Sequence, residues 1–203
     1  MNEAQKRILD RVEQIVVTVI FVFFLRRIWP EQLDLAGLVP ILLLVSEGAV
    51  VVFLILRRPT TNISVRPQDW LLASGGTFFA LMVGAGGDPL FVKFSLVLVL
   101  LGTLVQVFSK FSLRRSFGLV AANRGVKKSG MYAFLRHPMY AGYMLSHIGY
   151  LMYAPTVRNM LVYAAVWGLL VGRIFAEERM LIQDEAYRDY AQKVRYRLAP
   201  FIF

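Results

Sequence analysis

Apolar runs and the polar breaks between them divide this chain into a series of candidate helices. A bilayer-spanning helix needs ~20 mostly apolar residues. The first run extends from about Val12 to Phe24 and stops at Arg26-Arg27-Ile28-Trp29-Pro30. Its apolar centre is short, so the flanking arginines must snorkel, with Trp29 at the interface. The second, Leu35 to Leu56, is long, interrupted only by Ser46-Glu47-Gly48 and stopped by Arg57-Arg58-Pro59. Thr60 to Gln68 is a polar loop. A third helix is expected from Trp70 to Val83, before the turn-forming Gly84-Ala85-Gly86-Gly87-Asp88-Pro89. A fourth runs from Leu90 to Phe108, followed by a basic connector, Lys110 to Gly130. The fifth and sixth, Pro138 to Tyr153 and Val157 to Phe175, form a hairpin around Ala154-Pro155. In the charged tail from Glu177 to Lys193, Met180, Leu181, Ala186, Tyr187, Tyr190 and Ala191 recur at the spacing of an amphipathic surface helix. The pattern predicts an all-α, polytopic integral membrane helical bundle of about six transmembrane helices, five if the first lies in the interface, with a C-terminal amphipathic helix. Residues 1–109 hold four N-terminal helices, and residues 110–203 hold almost all side chains with chemical potential.

Composition supports this division. The 203 residues are 57% hydrophobic with a mean hydropathy of +0.56, against roughly 45–50% apolar residues in soluble domains. The net charge of +10 would suggest nucleic acid in a soluble protein. Here the basic residues flank apolar runs and no nucleic-acid-binding motif is present, so the bilayer's anionic headgroups are the expected partner. All but four of the 23 lysines and arginines fall on one side of a six-span layout, the exceptions being Arg26, Arg27, Lys93 and Arg158. That asymmetry predicts both termini on the cytoplasmic side of a multi-pass protein. The absence of cysteine excludes disulfides, thiolate metal sites and a cysteine nucleophile.

The polar residues with chemical potential cluster around the hairpin. Pro138 suits a first helical position, which places His137 at or just before the cap. Gly142 leaves room for a close approach, and Tyr140 and Tyr143 add aromatic faces and hydroxyls. An ordinary interfacial histidine at a helix start fits the same pattern. Arg173 lies four residues before Glu177, on one helix face, at the bilayer level of His137 if the two helices are antiparallel. The pair is either a surface ion pair of little worth or a cavity-facing site for a zwitterion. Glu47 sits in an apolar run, where a carboxylate is costly and is either protonated or paired with a partner helix. His147 reads as a hydrogen-bonded packing residue. Two histidines and scattered carboxylates give no metal-ligand spacing. Ser74-Gly75-Gly76 suits close helix packing and Gly84–Gly87 a turn. Neither has the strand-turn-helix context of a dinucleotide-binding loop.

Several ordered motifs in residues 110–203 resemble the isoprenylcysteine carboxyl methyltransferase family. They are Arg114-Arg115-Ser116-Phe117, Ser129-Gly130-Met131-Tyr132, Arg136-His137-Pro138-Met139-Tyr140-Ala141-Gly142, Arg173-Ile174 with Glu177-Glu178, Tyr187, Tyr190 and Arg197-Leu198-Ala199-Pro200-Phe201. Phospholipid N-methyltransferases share the His-Pro and Glu-Glu elements. The resemblance implies a membrane methyltransferase that uses S-adenosylmethionine, releases S-adenosylhomocysteine and acts on a lipophilic acceptor such as a prenylcysteine or lipid. By position it implies cofactor binding by Val126, Lys127, Tyr132, His137, Pro138, Met139, Tyr140, Glu177 and Glu178. It makes Arg173 and Glu177 the catalytic pair, with Arg173 facing the acceptor, and implies no metal. Lys127-Lys128 stand where the family often has Val-Thr, which makes that wall more basic. Sterol- or steroid-type NADPH-dependent reductases share a His-Pro-like element and form the alternative enzyme class. A catalytically silent scaffold would have lost the polar cluster, which is intact here.

Overall fold

The computed structural model describes residues 1–27 and 38–203, which are helical apart from connecting turns and loops and a single bridge between Ile63 and Ala122. The helices are α1 (Glu3–Arg27), α2 (Leu38–Leu56), α3 (Pro67–Phe78), α4 (Val92–Leu113), α5 (Pro138–Tyr153), α6 (Val157–Leu181) and α7 (Glu185–Lys193). The expected stop at Ile28-Trp29-Pro30 and start at Leu35 lie outside the described residues.

Local chemistry sets the helix ends. Pro67 and Pro138 occupy the first turns of α3 and α5, where the missing N–H costs nothing. The Thr156 hydroxyl accepts from the Asn159 N–H at the start of α6, and Asp184 accepts from the Ala186 N–H at the start of α7. Among the described residues, two helical stretches are long and apolar enough on their own to cross a membrane, Val92–Ser116 and Val157–Leu181. Phe94, Val97, Leu101 and Phe108 form an exposed stripe along the first. An apolar surface this continuous suits lipid rather than water.

Three expected boundaries shift, each for a packing reason. α1 begins at Glu3, nine residues before Val12, because Asp10 and Glu13 find buried cationic partners. α4 continues into the expected connector as far as Leu113, so Lys110 is a fully buried helix residue paired with Glu47. α6 continues to Leu181 and carries Glu177 and Glu178 inside the helix. The amphipathic helix is therefore α7 alone.

α4 and α5 pack along most of their length, with α3 on α6 and α2 between α1 and α4. Gly142 is required for this packing: a Cβ there would stand 2.8 Å from the Gly102 carbonyl oxygen and 2.9 Å from the Gln106 nitrogen. At one end of the bundle, Asn159 closes the glycine turn, accepting from the Gly84 N–H and donating to its carbonyl. The other end holds the connector, α7 and the C-terminal segment, and there the polar side chains converge.

Candidate active site

Segment 114–137 folds back over the polar end of α4–α6. Backbone N–H groups of Arg136 and His137 donate to the Tyr196 and Arg197 carbonyls, each at 2.9 Å. The Tyr190 hydroxyl donates to the carbonyls of Tyr132 and Leu135. α7 and the tail thus fix the approach to α5. The result is a cleft of about 770 Å³, its open mouth included.

Of the residues predicted to bind a cofactor, Val126, Lys127, Tyr132, His137, Met139, Tyr140 and Glu177 line this cleft. Pro138 and Glu178 are not among its lining residues; Pro138 is buried as the first residue of α5. Glu178 is a hub behind the wall. It accepts from His137 Nε2 at 3.2 Å, Arg197 Nε at 2.9 Å and the Tyr187 hydroxyl at 3.3 Å, and Arg136 Nη1 lies 3.3 Å away. It ties α6 to the start of α5, to α7 and to the tail.

Glu177 faces the cleft. It accepts from the Tyr140 hydroxyl and from Arg173 Nε at 3.2 Å, with His137 Nδ1 3.6 Å away. Arg173 is 5% exposed, so the surface ion pair is ruled out. Its three nitrogens are distributed: Nε to Glu177, Nη1 to the Thr77 hydroxyl at 3.1 Å, and Nη2 to the Leu119 carbonyl at 2.6 Å. The guanidinium lies over the Tyr140 ring, 5.3 Å from its centroid. Arg173 does not line the cleft. It stands behind Tyr140, and Thr77 opens on a second cavity.

That cavity, about 1,280 Å³ with its opening, lies deeper in the bundle among Phe21, Phe24, Phe78, Tyr143, His147 and Tyr163. His147 accepts from the Trp167 indole N–H at 3.2 Å and stacks on Tyr163 at 4.2 Å, as a packing residue would. Glu47 also reaches this cavity, held by Lys110 at 2.8 Å. α5 joins the two spaces with a stacked ladder, His137–Tyr140–Tyr143–His147, the rings 5.7, 6.4 and 6.3 Å apart.

The cleft's electrostatics are lopsided. Burial works against the charged form of His137, but its contacts with Glu177 and Glu178 outweigh this and hold its pKa above the ordinary histidine value. Burial pushes the Tyr132 hydroxyl well up, reinforced by the Glu177 charge, so it stays protonated as a donor. Lys127 is lowered, first by partial burial and then by Arg58 and Arg114. Arg124 and Arg136 both line the cleft, and each has a buried Nε with no partner among the described residues.

Sequence reasoning missed the residues that brace this site. Glu13 takes the backbone N–H groups of Leu119 and Val120, and Asp10 takes Arg124. The available signal was two acids three residues apart, on one face of a helix otherwise turning apolar.

A sequence model of the isoprenylcysteine carboxyl methyltransferase family matches residues 86–183, from the glycine turn through α6. Among curated proteins the chain is 27% identical over 140 residues to the protein-S-isoprenylcysteine O-methyltransferase of Schizosaccharomyces pombe, covering 61% of this chain and 59% of the relative. It is 28% identical over 110 residues to protein-S-isoprenylcysteine O-methyltransferase A of Arabidopsis thaliana, covering 50% of this chain and 56% of the relative. The match thus spans somewhat over half the length of each.

Proposed function

From the match of residues 86–183 to the isoprenylcysteine carboxyl methyltransferase family, we propose that the chain belongs to that family and is an integral membrane methyltransferase using S-adenosylmethionine on a lipophilic acceptor. The proposal includes about six spans, with the cleft and both termini on the cytoplasmic side, which the distribution of lysine and arginine supports.

The observation that carries this reading is the cleft's donor set. S-adenosylmethionine has a carboxylate, an ammonium and a sulfonium. Arg124, Lys127 and Arg136 line the cleft and give its wall cationic groups for a carboxylate. Glu177 and the aromatic side chains of Tyr132 and Tyr187, which line the same cleft, suit cationic groups. When bound, the cofactor supplies an electrophilic methyl group. The chain's own residues then position and shield. Glu177 is held by Tyr140 and Arg173 so that its carboxylate cannot swing out of the cleft wall. Glu178 immobilises His137 and with it the first turn of α5. Methyl transfer gains mostly from alignment and exclusion of water, which a braced wall provides.

The acceptor in this reading enters the aromatic cavity from the bilayer. Its reactive end reaches the partition formed by Tyr140, Tyr143, Thr77 and Arg173. A carboxylate acceptor is already ionised at neutral pH and needs no general base. It can replace the Thr77 hydroxyl on Arg173 Nη1, while Nε and Nη2 keep the guanidinium in place. Fixed donors of this kind orient without reorganising.

The test is calorimetric binding of S-adenosylhomocysteine to the detergent-purified chain, with His137→Ala as control. Saturable binding lost in the control is expected. Absence of binding by folded protein, with NADPH bound instead, would replace this reading by the reductase.

A further inference from the structure

The first 85 residues lie outside the family match, yet α1 reaches the cofactor end of the bundle. Asp10 and Glu13 are 0% and 2% exposed. Asp10 Oδ1 accepts from Arg57 Nη2 at 3.0 Å and Arg124 Nη2 at 2.6 Å, and Glu13 Oε2 pairs with Arg57 Nη1. The other Glu13 oxygen accepts from the Leu119 N–H at 2.9 Å and the Val120 N–H at 3.3 Å. Two acids and two arginines balance in charge. Buried ion pairs of this kind seldom add stability over an apolar replacement, so what they hold matters more than their number.

They hold the cleft wall. Gly118, Val120, Ala122 and Arg124 all line the cleft. Arg124 packs so closely on Gly118 that a Cβ there would lie 2.8 Å from its Cζ. The peptide group joining Leu119 and Val120 is gripped from both sides: the Val120 N–H donates to Glu13, and the Leu119 carbonyl accepts from Arg173. Hydrogen bonds in such a chain polarise one another in a low-dielectric interior, and a shift of the Leu119 backbone disturbs both ends.

We propose that Asp10 and Glu13 are positioning residues for the transferase site. Glu13 sets the orientation of Arg173 through the Leu119 backbone, and Asp10 sets that of Arg124 at the cleft. The proposal rests on the functional reading above for what the cleft holds, but the clamp itself can be tested separately.

The full chain would be compared with Glu13→Ala and Glu13→Gln. Three readouts are S-adenosylhomocysteine affinity, hydrogen exchange of residues 117–124, and kcat against acceptor KM. Glu13→Ala is expected to weaken binding about tenfold and to speed exchange in 117–124 while α4–α6 stay protected. It should lower kcat more than it raises acceptor KM. Glu13→Gln keeps an oxygen for the two N–H groups, so it should recover most of the exchange protection and bind within about threefold of the parent. Parent-like binding and exchange in Glu13→Ala would overturn the proposal. So would exchange raised evenly across all helices in both variants, which marks loss of fold rather than of position. If the parent fails to bind the ligand, the cofactor reading falls, and local exchange at 117–124 alone decides the clamp.

Discussion

The two cavities are built by opposite means. The cleft is walled by a folded-back connector and a C-terminal tail, and its lining includes Arg124, Lys127, Arg136, His137 and Glu177. The deeper cavity is walled by helices, and its lining is mainly aromatic and aliphatic, with Glu47 its one acid, paired with Lys110. One space presents charged side chains to a charged ligand, and the other presents mainly rings and aliphatic groups to an apolar one. They meet at a partition of side chains: Tyr140 faces one and Tyr143 the other, stacked 6.4 Å apart, and Arg173 touches Thr77 on the far side. A reaction between a polar cofactor and a greasy acceptor requires such a division, because neither ligand is stable in the other's surroundings.

The sharpest way to break this comparison is at Glu177. Glu177→Gln removes the carboxylate that Tyr140 and Arg173 both address. Charge-assisted hydrogen bonds contribute about 1.5–3 kcal/mol each, so calorimetry should show S-adenosylhomocysteine affinity lower by about 10- to 100-fold. An unchanged affinity would take the ligand out of the cleft. A buried-pair test probes the other space. Lys110→Met leaves Glu47 buried without its cation, and thermal unfolding in detergent should register a loss of about 3–5 kcal/mol. The double variant with Glu47→Leu should regain most of it.

Arg173→Ala separates the two sides of the partition. Turnover should fall about 100-fold while the affinity for S-adenosylhomocysteine stays within threefold, since Arg173 stands behind the cleft wall. Arg173→Lys should not restore turnover, because an ammonium cannot hold three acceptors in one plane. Leu81→Trp, at the exposed edge of the deeper cavity, should raise acceptor KM about tenfold and leave cofactor binding alone. The smallest effect is on pH dependence. The raised pKa of His137 means that its charged form stabilises the fold. That contribution is complete below the unfolded histidine's value of about 6.5 and is lost as pH rises through the higher folded value. Unliganded protein should therefore lose melting temperature above neutral pH, and His137→Asn should flatten that slope.

Much of the helical skeleton was legible because each apolar run carries its own stop signal: Arg57-Arg58-Pro59, Gly84–Pro89 and Ala154-Pro155. The ladder of Tyr140, Tyr143 and His147 follows from helical spacing once Pro138 fixes the start of α5. The extension of α6 to Leu181 was not legible, because Glu177 and Glu178 look like the end of an apolar run until their partners are known. Glu178 finds His137 41 residues away. Glu13 finds Leu119 106 residues away. Sequence periodicity describes one helix at a time, whereas these side chains are explained only by pairings between segments. Lys110 is the clearest example: it read as the start of the basic connector, and its contacts with Glu47 and Ser46 account for a fully buried ammonium.

The Lys110–Glu47 pair also constrains how the protein is made. Its members lie 63 residues apart, so at roughly 5–20 residues per second Glu47 is made about 3–13 s before its cation exists. Over that interval a membrane-inserted α2 would carry a lone carboxylate that lipid does not tolerate. If α2 spans the bilayer as the proposed six-span arrangement has it, it waits in the polar headgroup layer, or enters protonated, until α4 emerges. Insertion of the two helices becomes a single coupled event. Nascent chains arrested before Lys110 should leave residues 44–56 accessible to a water-soluble label, and chains arrested after α4 should protect them.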